Sequence, residues 1–143
     1  MNILILNFGL YKGGTETQFH TVISTFKKLQ KEKYRFVIAS LKNNSTFDRR
    51  IQMIGVPWYE NLMKYKGDIF TIPRLLSIIE KENVNAIYVT GSEGYIIPIS
   101  VLTGIASKRP VIACMKIHLR NASTSGSHRC FIQLFSAFCL SAE

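Results

Sequence analysis

The chain opens with an apolar run, a glycine-rich turn and an amphipathic segment, and this order constrains the fold more than any other feature. The run NILILNF at residues 2–8 is typical of a buried β-strand. Beyond the glycines, apolar residues recur at steps of three and four, as on the core-facing side of a helix. The residues of this stripe are Phe19, Val22, Ile23, Phe26 and Leu29. A strand, a turn and a helix are therefore predicted over the first 30 residues.

The turn between that strand and helix has the composition of an anion site. Thr15 and Gln18 have capping-box spacing, which predicts that the helix begins at Thr15, directly after Gly13 and Gly14. Glycines at this place adopt positive φ readily and let a ligand approach the unpaired N–H groups of the first helical turn. A plain strand-to-helix turn that binds nothing fits the same residues. Glu16 either interacts favourably with the helix dipole or contributes to the site.

Composition limits the kinds of partner. A chain of 143 residues with 47% hydrophobic content suits one domain with a real core. Eighteen Lys and Arg residues against nine acidic ones give a net charge of +9, which favours anionic partners. The densest basic cluster, within residues 27–33, lies on the outer side of the predicted first helix. A solvated helix face and peripheral attraction to a membrane both fit that cluster, and nucleic acid is not an expected partner.

Cysteine usage and hydropathy indicate the compartment. The three cysteines lack a CxxC spacing and a nearby histidine at metal-ligand spacing, so we expect reduced thiols and neither a disulfide framework nor a zinc site. No signal peptide is evident at the N-terminus. The longest later apolar stretches, residues 95–106 and 131–140, are shorter than the roughly 18 to 20 residues needed to cross a bilayer. The expected location is the cytoplasm, with peripheral contact at the inner face of the membrane as a variant.

Strand-like and helix-like segments alternate along the rest of the chain. This alternation predicts an α/β fold, a parallel sheet with helices on both faces. A helix at residues 95–102 is apolar all round and should be buried, and Gly104 should end it. A last apolar segment, residues 129–140, is predicted as a helix with no strand after it. The other predicted strands are residues 34–41, 56–62 (an edge strand), 86–89 and 111–115. The other predicted helices are residues 47–54 and 72–82.

Ligands of parallel α/β sheets bind beyond the carboxyl ends of the strands. His118 follows the fifth predicted strand between basic neighbours, where a cleft would place reactive or phosphate-binding groups, although a basic loop facing water fits as well. The sequence lacks the G-x-G-x-x-G, P-loop and D-x-D patterns, which argues against nicotinamide binding, P-loop chemistry and a paired-aspartate metal site. The candidates at the ends of the fourth and fifth strands are Thr90, Gly91, Ser92, Glu93, Lys116, His118 and Arg120.

Taken together, the motifs resemble those of a known enzyme family. MNILILNFGLYKGGTETQ is similar to the opening of family-four glycosyltransferases of the GT-B fold, which have a strand, a Gly-Gly loop and an acidic residue in the next helix. NAIYVTGSEG resembles the family's fourth-strand segment and RPVIACMK the strand after it. RCFIQLFSAFCLSAE resembles the helix that leads to the last strand of the N-terminal domain. The resemblance covers essentially the whole chain.

The resemblance implies the N-terminal half of a GT-B fold, a Rossmann-like sheet. Residues 1–143 would form a single incomplete domain, with the C-terminal donor-binding domain absent. The implied activity is retaining transfer of a sugar from a nucleotide sugar to a cell-envelope or lipid-linked glycan, without a metal or cofactor. The N-terminal half mainly holds the acceptor in this family. Because transfer takes place between two domains, we expect this chain alone to be inactive unless a separately encoded donor domain completes it.

The resemblance also implies roles for individual residues. Gly13 and Gly14 correspond to the loop close to the donor phosphates. A histidine that many members carry after the fifth strand corresponds in position to Lys116, with His118 two residues later, so these two are the catalytic candidates. A histidine that other members carry at the end of the fourth strand corresponds to Thr90.

Two other classes of protein fit the sequence. One is a freestanding module that binds anions or a lipid surface without catalysis, and co-purification with a donor domain would support it. The other is a fragment of a sugar-nucleotide epimerase or another Rossmann-like enzyme. Nucleotide binding by this chain alone would favour the second class.

Overall fold

The computed structural model describes residues 1–9, 21, 23–25, 33–42, 55–90, 95–117 and 129–135. The predicted start of the first helix at Thr15 and the predicted helix at residues 47–54 lie outside these residues. The described strands are β1 (Asn2–Asn7), β2 (Arg35–Ser40), β3 (Trp58–Tyr59), β4 (Ala86–Thr90), β5 (Val111–Ile117) and β6 (Arg129–Phe135). Two described helices have full bounds, α1 (Thr71–Lys81) and α2 (Ile96–Ser107).

The strands form one sheet in the order β3-β2-β1-β4-β5-β6. The first five strands are parallel to their neighbours, whereas β6 is antiparallel to β5. This arrangement confirms the predicted α/β fold, a Rossmann-like parallel sheet. Because β2 and β3 extend to one side of β1 while β4 and β5 extend to the other, the strand order reverses between β1 and β4.

Helices cover both faces of the sheet, as predicted. Leu4 and Leu6 of β1 belong to a buried cluster that includes Leu75 of α1 and Ile96 of α2. Ile5, between them in sequence, points to the opposite face because successive side chains of a strand alternate. There it packs in a second cluster with Ile38 and Ile23, and Ile23 lies within helical residues 23–25. The described helices therefore divide between the two faces.

The edge strand β3 is short and preceded by proline. The amide of Ile38 donates to the carbonyl of Pro57 at 2.9 Å, and β3 pairs with β2 over only two residues. Proline lacks an N–H group and is tolerated at an edge. The prediction of an edge strand in this segment is confirmed, although the strand is shorter than residues 56–62.

Helix α1 confirms the helix predicted at residues 72–82, and its buried residues are Thr71, Leu75, Ile78 and Ile79. Helix α2 differs from its prediction in length and burial. It continues past Gly104 and ends at Ser107, and the C-cap residue that follows, Lys108, has a φ of 55°. A Cβ atom at position 104 would overlap Cγ2 of Val111, so this glycine permits close packing of the helix on β5 and does not end the helix. Leu102 and Ile105 are exposed, so α2 is buried on one side only.

The prediction of a helix at residues 129–140 is wrong over residues 129–135, which form β6. All seven residues of β6 pair with β5, from Ile117 opposite Arg129 to Val111 opposite Phe135. A short apolar run such as RCFIQLF fits either a buried helix or a strand by periodicity alone, and pairing with an available edge decided between them. The expectation that no strand follows residue 140 lies outside the described residues.

None of the helices formed by the described residues is long and apolar enough to cross a bilayer.

Candidate functional site

The best candidate site lies at the carboxyl ends of β1 and β4. These strands are adjacent, and Asn7, the last residue of β1, is the register partner of Thr90, the last residue of β4. On the other side of Asn7, the register partner is Ser40, the last residue of β2. Because the strand order reverses between β1 and β4, a crevice for ligands is expected at this point.

Asn7, Ser40 and Thr90 form what we term the polar row, which crosses three neighbouring strands. They are 3%, 2% and 8% exposed, so all three are buried. Register partners on parallel strands point to the same face of the sheet. Two residues earlier, the same strands contribute Ile5, Ile38 and Tyr88 to the cluster that contains Ile23, so the polar row continues that apolar face at its carboxyl end.

Hydrogen bonding within the polar row is incomplete. The hydroxyl of Ser40 donates to Oδ1 of Asn7 at 2.9 Å, which fixes the orientation of the amide. Neither Nδ2 of Asn7 nor Oγ1 of Thr90 has a hydrogen-bond partner within the described structure, and both atoms are buried. Most buried polar groups in native proteins are paired, because an unpaired one costs about 1–3 kcal/mol. The two unpaired groups, at the adjacent ends of β1 and β4, therefore mark a place where a ligand or a water molecule would supply the missing hydrogen bonds.

Basic side chains follow β2 and β3 at the carboxyl edge of the sheet. Lys42 lies two residues after Ser40, with its Nζ 5.1 Å from the centre of the Phe8 ring. Lys64 and Lys66 are exposed in the segment that follows β3, and Nζ of Lys66 lies 5.7 Å from the centre of the Tyr95 ring. These lysines favour an anionic group at the carboxyl edge of the sheet.

The segment after β3 runs along this same edge. The amide of Leu62 donates to the carbonyl of Ser40 at 3.4 Å, and the amide of Met63 donates to the carbonyl of Leu41 at 2.7 Å. The next residues, 64–70, read KYKGDIF, and we term them the aromatic loop. Its side chains of Ile69 and Phe70 are 72% and 58% exposed, and Tyr65 is exposed as well. The aromatic loop thus presents apolar and basic side chains together.

Asp68 holds the aromatic loop in shape. Its carboxylate accepts hydrogen bonds from the amides of Lys64 and Phe70, each at 3.0 Å, and from Nη1 of Arg74 at 2.7 Å. The hydrogen bond from Arg74, followed by that from the Lys64 amide, holds the pKa of Asp68 below its ordinary value. Asp68 is therefore a structural carboxylate that organises exposed neighbours.

The structure places two of the sequence-predicted site residues. Thr90 ends β4 at the strand-order reversal, where it is the register partner of Asn7. Lys116 was expected in a loop after the fifth strand, but it lies within β5 and pairs with Cys130 of β6. It is two residues beyond Cys114, the β5 partner of Thr90. The remaining predicted site residues lie outside the described residues: Gly13, Gly14, Thr15, Glu16, Gly91, Ser92, Glu93, His118 and Arg120.

The sequence analysis missed Asn7 and Ser40. A signal was available, because three apolar strands each end on a small polar residue: NILILN, RFVIAS and AIYVT. Such endings at equivalent register positions predict a shared polar row. Within the parts of the chain that the structure describes, no three His, Cys, Asp or Glu residues are grouped to hold a metal ion.

Comparisons with known proteins establish the fold. No protein-family model matches the sequence, and no curated protein matches it. The structure is similar to UDP-GlcNAc 2-epimerase from Neisseria meningitidis bound to UDP-GlcNAc, with a TM-score of 0.50 and 17% identity over 78% of this chain. It is also similar to glycinamide ribonucleotide transformylase 1 from Symbiobacterium toebii, with a TM-score of 0.50 and 12% identity over 83% of this chain.

This chain spans 30% of the length of the epimerase chain and 53% of the transformylase chain. At these identities the likeness shows the fold alone, an α/β Rossmann-like architecture. The function of this chain must therefore be argued from its own site.

Proposed function

We propose that the chain is the acceptor-side, N-terminal domain of a GT-B glycosyltransferase that uses a nucleotide sugar to build a cell-envelope or lipid-linked glycan. The observation that carries the proposal is the adjacency of β1 and β4. The Gly-Gly segment 13–16 follows β1, and the segment 90–93 begins at the last residue of β4. Two positions to which the family resemblance assigns roles, the Gly-Gly loop and Thr90, therefore belong to neighbouring strand ends where the strand order reverses.

In this proposal the chain binds and orients, and a donor-binding domain completes the catalytic centre. The polar row supplies neutral hydrogen-bonding groups to a sugar, while Lys42 and the lysines of the aromatic loop attract phosphate charge. Lys116 and His118 are the proposed catalytic candidates. The nucleotide sugar acts as a co-substrate, and the reaction needs no metal in this proposal.

A direct test uses a completed enzyme, in which this chain is fused to or co-expressed with a donor-binding domain. Changing Gly13 and Gly14 to valine is expected to abolish sugar transfer, because side chains there would block approach to the backbone. Thermal unfolding of the variant protein checks that it remains folded. Wild-type transfer rates in a folded double-valine variant would contradict the proposed anion site.

The aromatic loop favours an acceptor that is attached to an anionic lipid surface. Tyrosine and phenylalanine side chains lie well at a membrane interface, and each nearby lysine contributes about 1 kcal/mol of attraction to anionic lipid. The carboxylate of Asp68 is satisfied by Arg74 and two backbone amides, so it does not offset the exposed lysines. Peripheral membrane contact through this loop is therefore part of the proposal.

Sedimentation with lipid vesicles tests this contact. The chain should bind vesicles that contain phosphatidylglycerol and not vesicles of pure phosphatidylcholine. Changing both Lys64 and Lys66 to glutamate should weaken vesicle binding at least about 30-fold, because each lysine contributes about 1 kcal/mol of attraction to anionic lipid. The matched control reverses Lys108 and Arg109, which are exposed before β5 at the opposite end of the strands. Equal loss in both double variants would show that net charge acts without the loop.

The fold likeness to UDP-GlcNAc 2-epimerase favours one second candidate, a fragment of a sugar-nucleotide epimerase. The two proposals differ in which ligand the isolated chain binds. An acceptor-side domain should bind a prenyl-phosphate-linked sugar and have little affinity for UDP. Isothermal titration with both ligands separates them, since tight binding of UDP by the chain alone would favour the epimerase.

A further inference from the structure

We infer that Nδ2 of Asn7 and the hydroxyl of Thr90 together bind one hydroxyl group of a sugar ring. This inference rests on the proposed function and names the ligand group that Asn7 and Thr90 bind. It begins from the two buried polar atoms that lack partners within the described structure. Both belong to register partners on adjacent strands, so one small group can contact both.

A hydrogen bond with Ser40, on the strand opposite to that of Thr90, sets the orientation of the Asn7 amide. Its Oδ1 accepts the hydroxyl hydrogen of Ser40 at 2.9 Å, so the amide presents its N–H donors away from that bond. Thr90 adds a hydroxyl that both donates and accepts. A ligand hydroxyl accepts a hydrogen bond from the Asn7 amide and donates its own hydrogen to the hydroxyl oxygen of Thr90. Both unpaired groups then have a hydrogen-bond partner.

The polar row carries no charge, and this decides the class of ligand. Its three members, Asn7, Ser40 and Thr90, are neutral and buried. A buried phosphate oxygen is bound best by charged donors or by several backbone amides, because its charge must be compensated. The lysines lie instead on residues that follow β2 and β3 at the carboxyl edge of the sheet. This separation of neutral and positive groups fits a phosphorylated sugar that places a hydroxyl at the polar row.

The competing occupant is a water molecule, which also bridges buried polar groups. Nuclear magnetic resonance distinguishes these cases, because the side-chain amide of Asn7 gives its own pair of signals. Methyl glucoside and methyl N-acetylglucosaminide are the neutral probes, and inorganic phosphate is the anionic probe. The expected result is that a methyl glycoside shifts the Asn7 signals and phosphate does not.

Thr90→Val removes the hydroxyl and preserves the shape of the side chain. It should weaken methyl glycoside binding about 5- to 20-fold, the loss of one buried hydrogen bond, without lowering the melting temperature. Asn7→Asp keeps the acceptor for Ser40, removes the amide donors and should also weaken binding. The matched control is Thr103→Val, since Thr103 is equally buried but its hydroxyl donates to the carbonyl of Ile99 inside α2. The control should bind the glycoside as the wild type does.

Several outcomes would overturn the inference. Asn7 signals that respond to phosphate alone, or to no probe, contradict a sugar hydroxyl at this pair. Wild-type affinity in both Thr90→Val and Asn7→Asp would also contradict it. If a prenyl-phosphate-linked sugar still binds and shifts signals of the aromatic loop, the proposed function stands and only this inference fails. If no sugar ligand binds anywhere, both fail.

Discussion

At the scale of single residues, Asp68 shows how a buried carboxylate shapes an exposed surface. It joins Lys64 and Phe70 through their backbone amides and Arg74 through its side chain. The residues that it positions carry the apolar and basic side chains of the aromatic loop. A change at Asp68 should therefore alter both stability and the proposed lipid contact.

Asp68→Asn should destabilise the protein at neutral pH, because the neutral amide loses the ion pair with Arg74. The folded-state pKa of Asp68 is lowered, so its contribution is full well above its unfolded pKa of about 3.9 and is lost as the pH falls through the folded pKa. The difference in free energy of unfolding between wild type and variant should shrink below about pH 4. Urea unfolding between pH 7 and pH 2.5 measures it.

The exposed acid Glu60 supplies the control for this experiment. Glu60→Gln removes a carboxylate from the same segment and should change the free energy of unfolding little, as surface substitutions usually do. A stability difference for Asp68→Asn that persists unchanged at pH 2.5 would show that shape, and not the charge of Asp68, holds the loop.

At the scale of elements, α2 packs closely on β5 through Gly104. A Cβ atom at Gly104 would overlap Cγ2 of Val111 and approach the carbonyl oxygen of Arg109 at 3.1 Å. Alanine normally favours a helix over glycine by about 1 kcal/mol. Steric overlap opposes that gain, and overpacking of this kind typically costs about 1–3 kcal/mol. Whether Gly104→Ala raises or lowers the free energy of unfolding therefore shows how closely α2 packs on β5.

Gly104→Ala should lower the free energy of unfolding, measured in urea, by up to about 2 kcal/mol, because the cost of overlap outweighs the gain in helix propensity. In a Val111→Ala background the overlapping Cγ2 atom is gone, and Gly104→Ala should be much less harmful. The double-mutant cycle isolates this contact. An increase in stability for Gly104→Ala alone would mean that α2 lies further from β5 than described.

The last strand provides a second test at this scale, because sequence periodicity predicted a helix there. Carbon chemical shifts for residues 129–135 should have the values typical of extended backbone, and their amides should pair with β5 as the register requires. Residues 71–81 of α1 are the internal control for helical shifts. Helical shifts in residues 129–135 would restore the original prediction.

At the scale of the whole molecule, much of the fold was predictable because parallel strands buried on both faces are continuous apolar runs. β1, β2 and β4 have that composition, and their alternation with helices predicted the sheet. The role of Gly104 and the identity of β6 depend on contacts with β5, which local sequence does not encode. Thr90 was predicted because it ends a strand, whereas Asn7 needed the register between strands to become a candidate.

The net charge of +9 gives a prediction for the molecule as a whole. Repulsion among its positive charges destabilises the compact state, and salt screens that repulsion. The melting temperature at pH 7 should therefore rise between low ionic strength and about 0.15 M sodium chloride. Potassium chloride should give the same rise, which excludes a specific sodium effect. A fall in melting temperature would show that ion pairs such as Arg35–Glu82 outweigh the repulsion.

The contact between Lys66 and Tyr95 connects two regions of the carboxyl edge. Lys66 belongs to the aromatic loop, and Tyr95 lies at the start of α2, five residues after Thr90. If the loop binds a lipid surface and the strand ends bind a sugar, as proposed, this contact links the two binding events thermodynamically. An exposed contact of this type is worth about 0.5–1 kcal/mol, which limits the mutual gain in affinity to about two- to fivefold. Binding of the aromatic loop to a surface would thus modestly raise the affinity of the same molecule for a sugar.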